Sequence, residues 1–143
     1  MTEPRSPSFT HVPQIGSAEV LDLAFRDDLD LAHRILWLLL FELGPTEIRL
    51  ADLLALDVPA VDLDARAIVT TISKTGRPVV GKFSDRAAGM LDALIGAHDN
   101  GPLFTSRSGQ RLSEVLAFEY FRSVTGGQSL HALRFNGQRH ATA

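Results

Sequence analysis

Apolar residues recur at helical spacing along most of the chain, and in one segment they occupy nearly every position. This segment, residues 31–43, predicts a helix buried in the centre of a domain, because it offers no polar face to solvent. Gly44 and Pro45 follow it and are typical of a helix end. Further helices are predicted to begin at or near residues that cap helices well, namely Ser17, Thr46, Ser84, Ser113 and Ser129.

The middle of the chain changes to a β-type pattern. Residues 67–72 are rich in β-branched side chains, and residues 78–83 provide a return strand after a turn at residues 73–76. A further short strand is indicated at residues 61–64. The chain is therefore predicted to be mainly α with a small antiparallel β-sheet set to one side, an α+β fold.

Length and composition favour one domain without covalent crosslinks. The chain has 143 residues, and we expect a loose tail at residues 1–15 before a single domain at residues 16–143. It contains no cysteine, which excludes disulfides and thiolate metal sites and fits a cytoplasmic protein. No apolar run approaches the ~20 residues of a membrane span, so we expect no membrane partner.

Charge and histidine spacing narrow the function further. The formal net charge of −3 counts against a strong nonspecific nucleic-acid binder, although a local basic face can lie on a net acidic chain. The five histidines are scattered, with no pair at metal-ligand spacing. We therefore predict no metal site and no cofactor.

Three places in the sequence carry candidate chemistry. Arg49 begins an apolar helical segment, with Asp52 three positions later. Lys74 lies at the tip of the predicted hairpin. His131 and Arg134 are three residues apart, a spacing that places two side chains on one face of a helix.

Each of these residues also has a purely structural interpretation. Arg49 can be a solvated residue of a first helical turn, and Lys74 a polar turn residue. His131 and Arg134 can form an exposed helix pair. One detail favours a function for the hairpin, since Lys74 and Lys82 are the only lysines of the chain and both lie on it.

Taken in order, the motifs resemble the catalytic domain of the tyrosine recombinases, the phage-integrase family. The resemblance covers about residues 16–134. It is carried by four segments and one lysine: residues 49–56, residues 61–64, Lys74 within Ser-Lys-Thr-Gly, Pro102-Leu103-Phe104, and His131-Ala132-Leu133-Arg134. The resemblance implies an enzyme that cleaves and rejoins DNA strands in site-specific recombination and integration.

The resemblance also implies roles for individual residues. Arg49 and Arg134 would hold the non-bridging oxygens of a DNA phosphodiester, because guanidinium groups bind such oxygens bidentately and remain charged at any working pH. Lys74 would protonate the leaving 5′ oxygen. His131 would transfer a proton or donate a further hydrogen bond to the phosphate, and Asp52 would buttress Arg49.

The chain departs from the family pattern near its end. The family places its nucleophilic tyrosine well beyond the His-x-x-Arg motif, and this chain ends nine residues after Arg134. The sole tyrosine, Tyr120, precedes His131 and fits a helix core position. Asn136 and Gly137 weaken helices where the family continues one. We therefore expect a domain truncated before the nucleophile and catalytically incomplete.

The expected partners follow from these observations. We expect double-stranded DNA, bound weakly by this chain alone, with Lys82 and Arg107 as further candidate contacts, although solvated charges are the alternative. A second copy or a full-length recombinase is a possible protein partner. The alternative function is a small helical protein-interaction module with no nucleic-acid role, whose apolar central helices would be partly uncovered.

Overall fold

The computed structural model describes residues 17–142, so the predicted tail at residues 1–15 lies outside the described part. Six helices lie within it: α1 (Ser17–Ala24), α2 (Leu31–Glu42), α3 (Leu50–Leu54), α4 (Asp85–Ile95), α5 (Glu114–Thr125) and α6 (His131–Thr142). Three strands, β1 (Val61–Asp62), β2 (Ala67–Thr71) and β3 (Pro78–Lys82), form an antiparallel sheet in the order β1-β2-β3. This arrangement confirms the predicted fold class.

Helix α2 forms the centre of the molecule, as its continuous apolar pattern predicts. Asp30 caps it by accepting a hydrogen bond from the backbone N–H of His33. Every residue from Ile35 to Phe41 is buried, and α1, α4, α5 and α6 all pack against this helix. Within the described residues, α2 itself therefore has no uncovered apolar face, although α5 exposes Val115 and Leu116. No helix between residues 17 and 142 is long and apolar enough to cross a membrane.

Helix α3 begins later than the sequence predicts, after Arg49 rather than after Thr46. The Thr46 side chain instead donates to a carbonyl at the end of α2 and accepts from the Ile48 N–H, so it stabilises the turn between the two helices. The Arg49 N–H is capped by the Asp52 carboxylate at 3.0 Å. Three residues that looked helical therefore form the segment that leads into α3.

The sheet packs closely against this same segment. In the β2–β3 register, Ile68 lies opposite Gly81. A side chain at Gly81 would place its Cβ 2.8 Å from the Ile48 Cδ1 atom and 2.9 Å from a Leu43 methyl carbon. A larger residue would force these two terminal methyl groups to shift, so glycine lets the hairpin lie close to the start of α3.

Helix α6 crosses α2 with their backbones in contact. A Cβ atom at Gly137 would lie 1.9 Å from the Phe41 carbonyl oxygen, and one at Gly44 would lie 2.5 Å from the Arg134 carbonyl oxygen. The helix continues through Asn136 and Gly137 to Thr142, so the expected weakening there is wrong. The glycine that lowers helix propensity also makes the close crossing possible.

Candidate anion-binding site

Arg49, His131 and Arg134 line one hollow with a volume of about 230 Å³. Arg49 is brought there by the start of α3, and the other two by the first turn of α6. The hollow is completed by four apolar residues and one acidic residue, namely Leu40, Leu50, Ala51, Leu130 and Glu114. Side chains from two distant parts of the sequence thus line the same hollow.

Arg134 is half-buried and forms two hydrogen bonds to the segment that precedes α3. Its Nε donates to the Ile48 carbonyl oxygen at 3.2 Å, and its Nη2 donates to the Thr46 carbonyl oxygen at 2.8 Å. A guanidinium group has five N–H donors, so these two bonds leave others for a ligand. The bonds fix the orientation of Arg134 and join α6 to the chain that carries Arg49.

The two arginines influence each other electrostatically. Burial lowers the pKa of Arg134, and the positive charge of Arg49 lowers it further, while the carboxylate of Asp52 acts in the opposite direction. Arginine nevertheless stays protonated at any working pH. Two like charges that line the same hollow favour the binding of an anion between them, because the negative charge offsets their repulsion.

Asp52 connects the start of α3 to the hairpin. The residue is buried, with only 4% of its surface exposed. One carboxylate oxygen accepts from the Arg49 N–H, and the other accepts from both the N–H and the hydroxyl of Ser73, each at 3.0 Å. Asp52 therefore holds the backbone of Arg49, and it also anchors the turn that carries Lys74.

The fourth predicted residue, Lys74, is not among the residues that line the hollow. It is exposed on the turn after Ser73. A second link, the ion pair between Arg77 and Glu47, also holds this hairpin to the chain before α3. The structure thus brings three of the four predicted residues together and places Lys74 on a turn that Asp52 anchors to the start of α3.

The two additional candidate DNA contacts lie elsewhere. Lys82 is at the end of β3 away from the hairpin turn, and its Nζ donates to the Ala65 carbonyl oxygen at 3.0 Å. Arg107 lines a different cavity, of about 570 Å³, together with His33 and Tyr120. Neither residue is among those that line the hollow of Arg49.

Tyr120 belongs to an aromatic cluster at that second cavity. Its hydroxyl oxygen accepts from the Asp30 N–H at 2.9 Å, and its ring centroid lies 4.2 Å from His33 and 5.9 Å from Trp37. These contacts give the tyrosine a packing role next to α2, in agreement with the core position predicted for it. It does not line the hollow that contains Arg49 and Arg134.

The buried imidazole in this cluster predicts a pH dependence of stability. Burial lowers the pKa of His33 below its ordinary value of 6.5, with an opposing effect from Asp30. The unfolded chain therefore binds this proton more readily, so stability is complete above the unfolded pKa and decreases as pH falls towards the folded one. Replacing His33 with phenylalanine should reduce the loss of unfolding free energy between about pH 7.5 and about pH 5.5, the range in which histidine changes charge.

Urea denaturation at the two pH values provides the measurement. The exposed His98 gives a matched control, because His98→Gln removes a histidine without removing a buried one. A His33→Phe variant with the same pH dependence as the unmodified chain would contradict the assignment.

One residue that lines the hollow was not identified from the sequence. Glu114 lines the hollow, and no sequence signal beyond its place after the capping Ser113 points to it. Arg111 donates to the Leu54 and Leu56 carbonyl oxygens at 3.0 Å each, which secures the end of α3. Among the side chains that the structure describes, residues 18–138, no group of three or more His, Asp or Glu residues could hold a metal ion.

Comparison with known proteins places this geometry in context. The sequence model of the phage integrase family matches residues 18–143. The crystal structure of XerA recombinase is similar with a TM-score of 0.72 and 21% identity, over 93% of this chain and 50% of that chain. A lambda integrase tetramer bound to a Holliday junction is similar with a TM-score of 0.63 and 19% identity, over 89% of this chain and 41% of that chain.

A lambda integrase dimer bound to a COC' core site is similar with a TM-score of 0.64 and 18% identity, over 88% of this chain and 39% of that chain. The chain thus spans half or less of the length of these three proteins. No curated protein sequence matches it. At these identities the structural likeness establishes the shared fold.

Proposed function

Because the chain belongs to the phage integrase family, we propose that it binds double-stranded DNA and holds one backbone phosphate in the hollow lined by Arg49, His131 and Arg134. The observation that carries the proposal is the meeting of two guanidinium groups and an imidazole in a space of about 230 Å³. Guanidinium groups bind phosphate oxygens bidentately and remain charged at any working pH, so paired arginines suit a backbone phosphate.

The proposed chemistry is stabilisation of negative charge during DNA strand exchange. Charge grows on the non-bridging oxygens when a nucleophile attacks a phosphodiester, and donors that are already oriented stabilise it most. The bonds from Arg134 to two backbone carbonyls supply such orientation. Arg49 would complete the pair, and His131 would donate a further hydrogen bond or transfer a proton.

Lys74 is the proposed general acid for the leaving 5′ oxygen. Its turn is anchored through Ser73 to the Asp52 carboxylate, while the lysine side chain itself is exposed. This arrangement supports a lysine that reaches the hollow when DNA is bound, from a turn that is fixed at its base. Asp52 would act as the positioning residue for both Arg49 and this turn.

Because Tyr120 does not line the hollow, we propose that strand cleavage there uses a nucleophile supplied from outside this domain. The sole tyrosine is held at the other cavity by Asp30 and His33. We propose that the domain works together with further copies or with a longer recombinase on DNA. The similar structures include a lambda integrase tetramer bound to a Holliday junction and a dimer bound to a core site, which supports an assembly of this kind.

Replacing Arg49 with glutamine should weaken DNA binding at least about tenfold, because a hydrogen bond to a charged group contributes about 1.5–3 kcal/mol. The salt dependence should also become shallower by about one phosphate contact. Fluorescence anisotropy with a labelled duplex at several salt concentrations measures both quantities. The chain is net acidic, so the titrations should begin at low salt.

Arg86→Gln provides the control, because it removes the same charge from an exposed position on α4 that does not line the hollow. Equal losses of affinity in the two variants would mean that Arg49 contributes only general charge. A denaturant-resistant adduct between this chain and nicked DNA would contradict the need for an outside nucleophile.

A further inference from the structure

The hollow contains one acidic residue, and we propose that this residue, Glu114, lowers its affinity for doubly charged phosphates more than its affinity for singly charged phosphodiesters. The inference rests on the proposed phosphate-binding function and adds a specificity to it. Internal DNA phosphates carry one negative charge, whereas phosphorylated ends and free phosphate carry nearly two at neutral pH. A carboxylate at the site therefore reduces the advantage that phosphorylated ends and free phosphate would have over intact backbone beside two arginines.

Glu114 is placed where its charge acts on a ligand. It is the first residue of α5, it is exposed, and it lines the same hollow as Arg49, His131 and Arg134. None of the four ion pairs found among residues 17–142 includes it. Its charge is therefore not committed to a contact with either arginine, and an incoming anion would experience it.

The nearby Asp52 does not play the same part. It is almost fully buried, and its two oxygens accept hydrogen bonds from Arg49 and Ser73. Its position is fixed by those donors, and it does not line the hollow. Glu114, unlike Asp52, lines the space that a phosphate would enter.

A structural role for Glu114 is the competing explanation. An acidic residue in the first turn of a helix is stabilising because it opposes the helix dipole. That role changes the stability of α5 and predicts no dependence on the charge of a ligand. A Coulomb effect, in contrast, grows in proportion to the charge of the ligand. The two explanations can therefore be separated by varying both charges.

Coulomb's law also gives the expected size of the effect of Glu114 on ligand affinity. At a separation of about 8 Å in a water-like dielectric, one carboxylate weakens the binding of a single negative charge about twofold. The same carboxylate then weakens the binding of a double charge about fourfold. Glu114→Gln should strengthen binding by these factors, and Glu114→Lys should do so by about fourfold and about sixteenfold.

The experiment uses two probes with the same aromatic body, methyl phenyl phosphate as the diester and phenyl phosphate as the monoester. Both are titrated at low salt and about pH 7.5, above the second phosphate pKa of about 6. Backbone amide shifts in α6 report binding in the ¹⁵N-labelled chain. The logarithm of affinity should rise about twice as steeply with the charge at position 114 for the monoester as for the diester.

Matched substitutions at Glu119 provide the control, because this residue is on the same helix but lines the other cavity. They should leave both affinities unchanged. Equal slopes for the two probes, or no response to position 114, would overturn the inference while the phosphate site stands. Absence of binding by either probe to the unmodified chain and to both variants would overturn the phosphate site itself, and the selectivity with it.

Discussion

Replacing Gly137 with alanine should destabilise the domain by about 3 kcal/mol or more, because the new methyl group has nowhere to go. Its carbon would lie 1.9 Å from the Phe41 carbonyl oxygen and 2.8 Å from the Phe41 carbonyl carbon. These are backbone atoms of the central helix and cannot rotate away as a side chain does. Relief therefore requires α6 to move off α2.

The direction of this effect is opposite to that expected from helix propensity. Alanine is favoured over glycine inside a helix by about 1 kcal/mol, so an unhindered glycine-to-alanine change in a helix should be stabilising. Gly89, on α4, gives the matched control, because a methyl group added there would meet no atom within 4 Å. Urea denaturation followed by circular dichroism should show Gly89→Ala more stable and Gly137→Ala far less stable than the unmodified chain.

The same substitution has a consequence for the site. His131 and Arg134 are on the first turn of α6 and line the hollow with Arg49. Displacement of α6 would separate them, so DNA affinity should fall together with stability in Gly137→Ala. A variant that is as stable as Gly89→Ala would show that the two helices do not cross as closely as described.

Replacing Asp52 with alanine should be the second most damaging change, with a loss of about 2–4 kcal/mol. The carboxylate accepts three hydrogen bonds, from the Arg49 N–H, the Ser73 N–H and the Ser73 hydroxyl. Its removal leaves buried or half-buried donors without a partner, at about 1–3 kcal/mol for each one that water cannot reach. Thermal and urea unfolding measure the loss directly.

Two further variants test the cause of that loss. Asp62 is exposed and accepts one backbone hydrogen bond from Ala65, so Asp62→Ala should cost well under half as much. Ser73→Ala removes only the hydroxyl bond and should cost about 1 kcal/mol. If Asp52→Ala were no more harmful than Asp62→Ala, the link between the hairpin and α3 would not contribute to stability.

Much of the fold was predictable because its determinants are local. The uninterrupted apolar run of residues 35–41 specifies a buried helix without reference to the rest of the chain. The β-branched segment at residues 67–72, followed by a turn, specifies a hairpin in the same way. The described structure contains both, together with the capping serines of α4 and α5.

The features that were not predicted depend on distant parts of the chain. Thr46 is a residue type that caps helices well. In the structure its hydroxyl donates to the Leu43 carbonyl, and its own carbonyl accepts from Arg134, so no helix begins at this position. Gly137 was expected to weaken its helix because helix propensity considers one helix alone. Its contribution is instead to the packing of α6 against α2, where a larger residue would clash with the Phe41 backbone. Local rules have no access to such contacts, which join residues 86 and 88 positions apart in the case of Arg134.

The site was predictable to a similar extent. Ordered motifs identified Arg49, His131 and Arg134, which line one hollow in the structure. Charge alone could not place Lys82 and Arg107, because a cation in a sequence does not reveal which face of the molecule it occupies. Glu114 was missed for the related reason that an acidic residue after a helix cap is common and carries no functional signal.

The two hydrogen bonds from Arg134 to the Thr46 and Ile48 carbonyls can form only late in the synthesis of the chain. Synthesis proceeds from the N-terminus, and Arg134 leaves the ribosome 85 residues after Arg49. Until α6 emerges, the Thr46 and Ile48 carbonyls lack their donor and the first arginine has no partner across the hollow. A nascent chain can thus form its sheet before α6 emerges, while the proposed phosphate site is still incomplete.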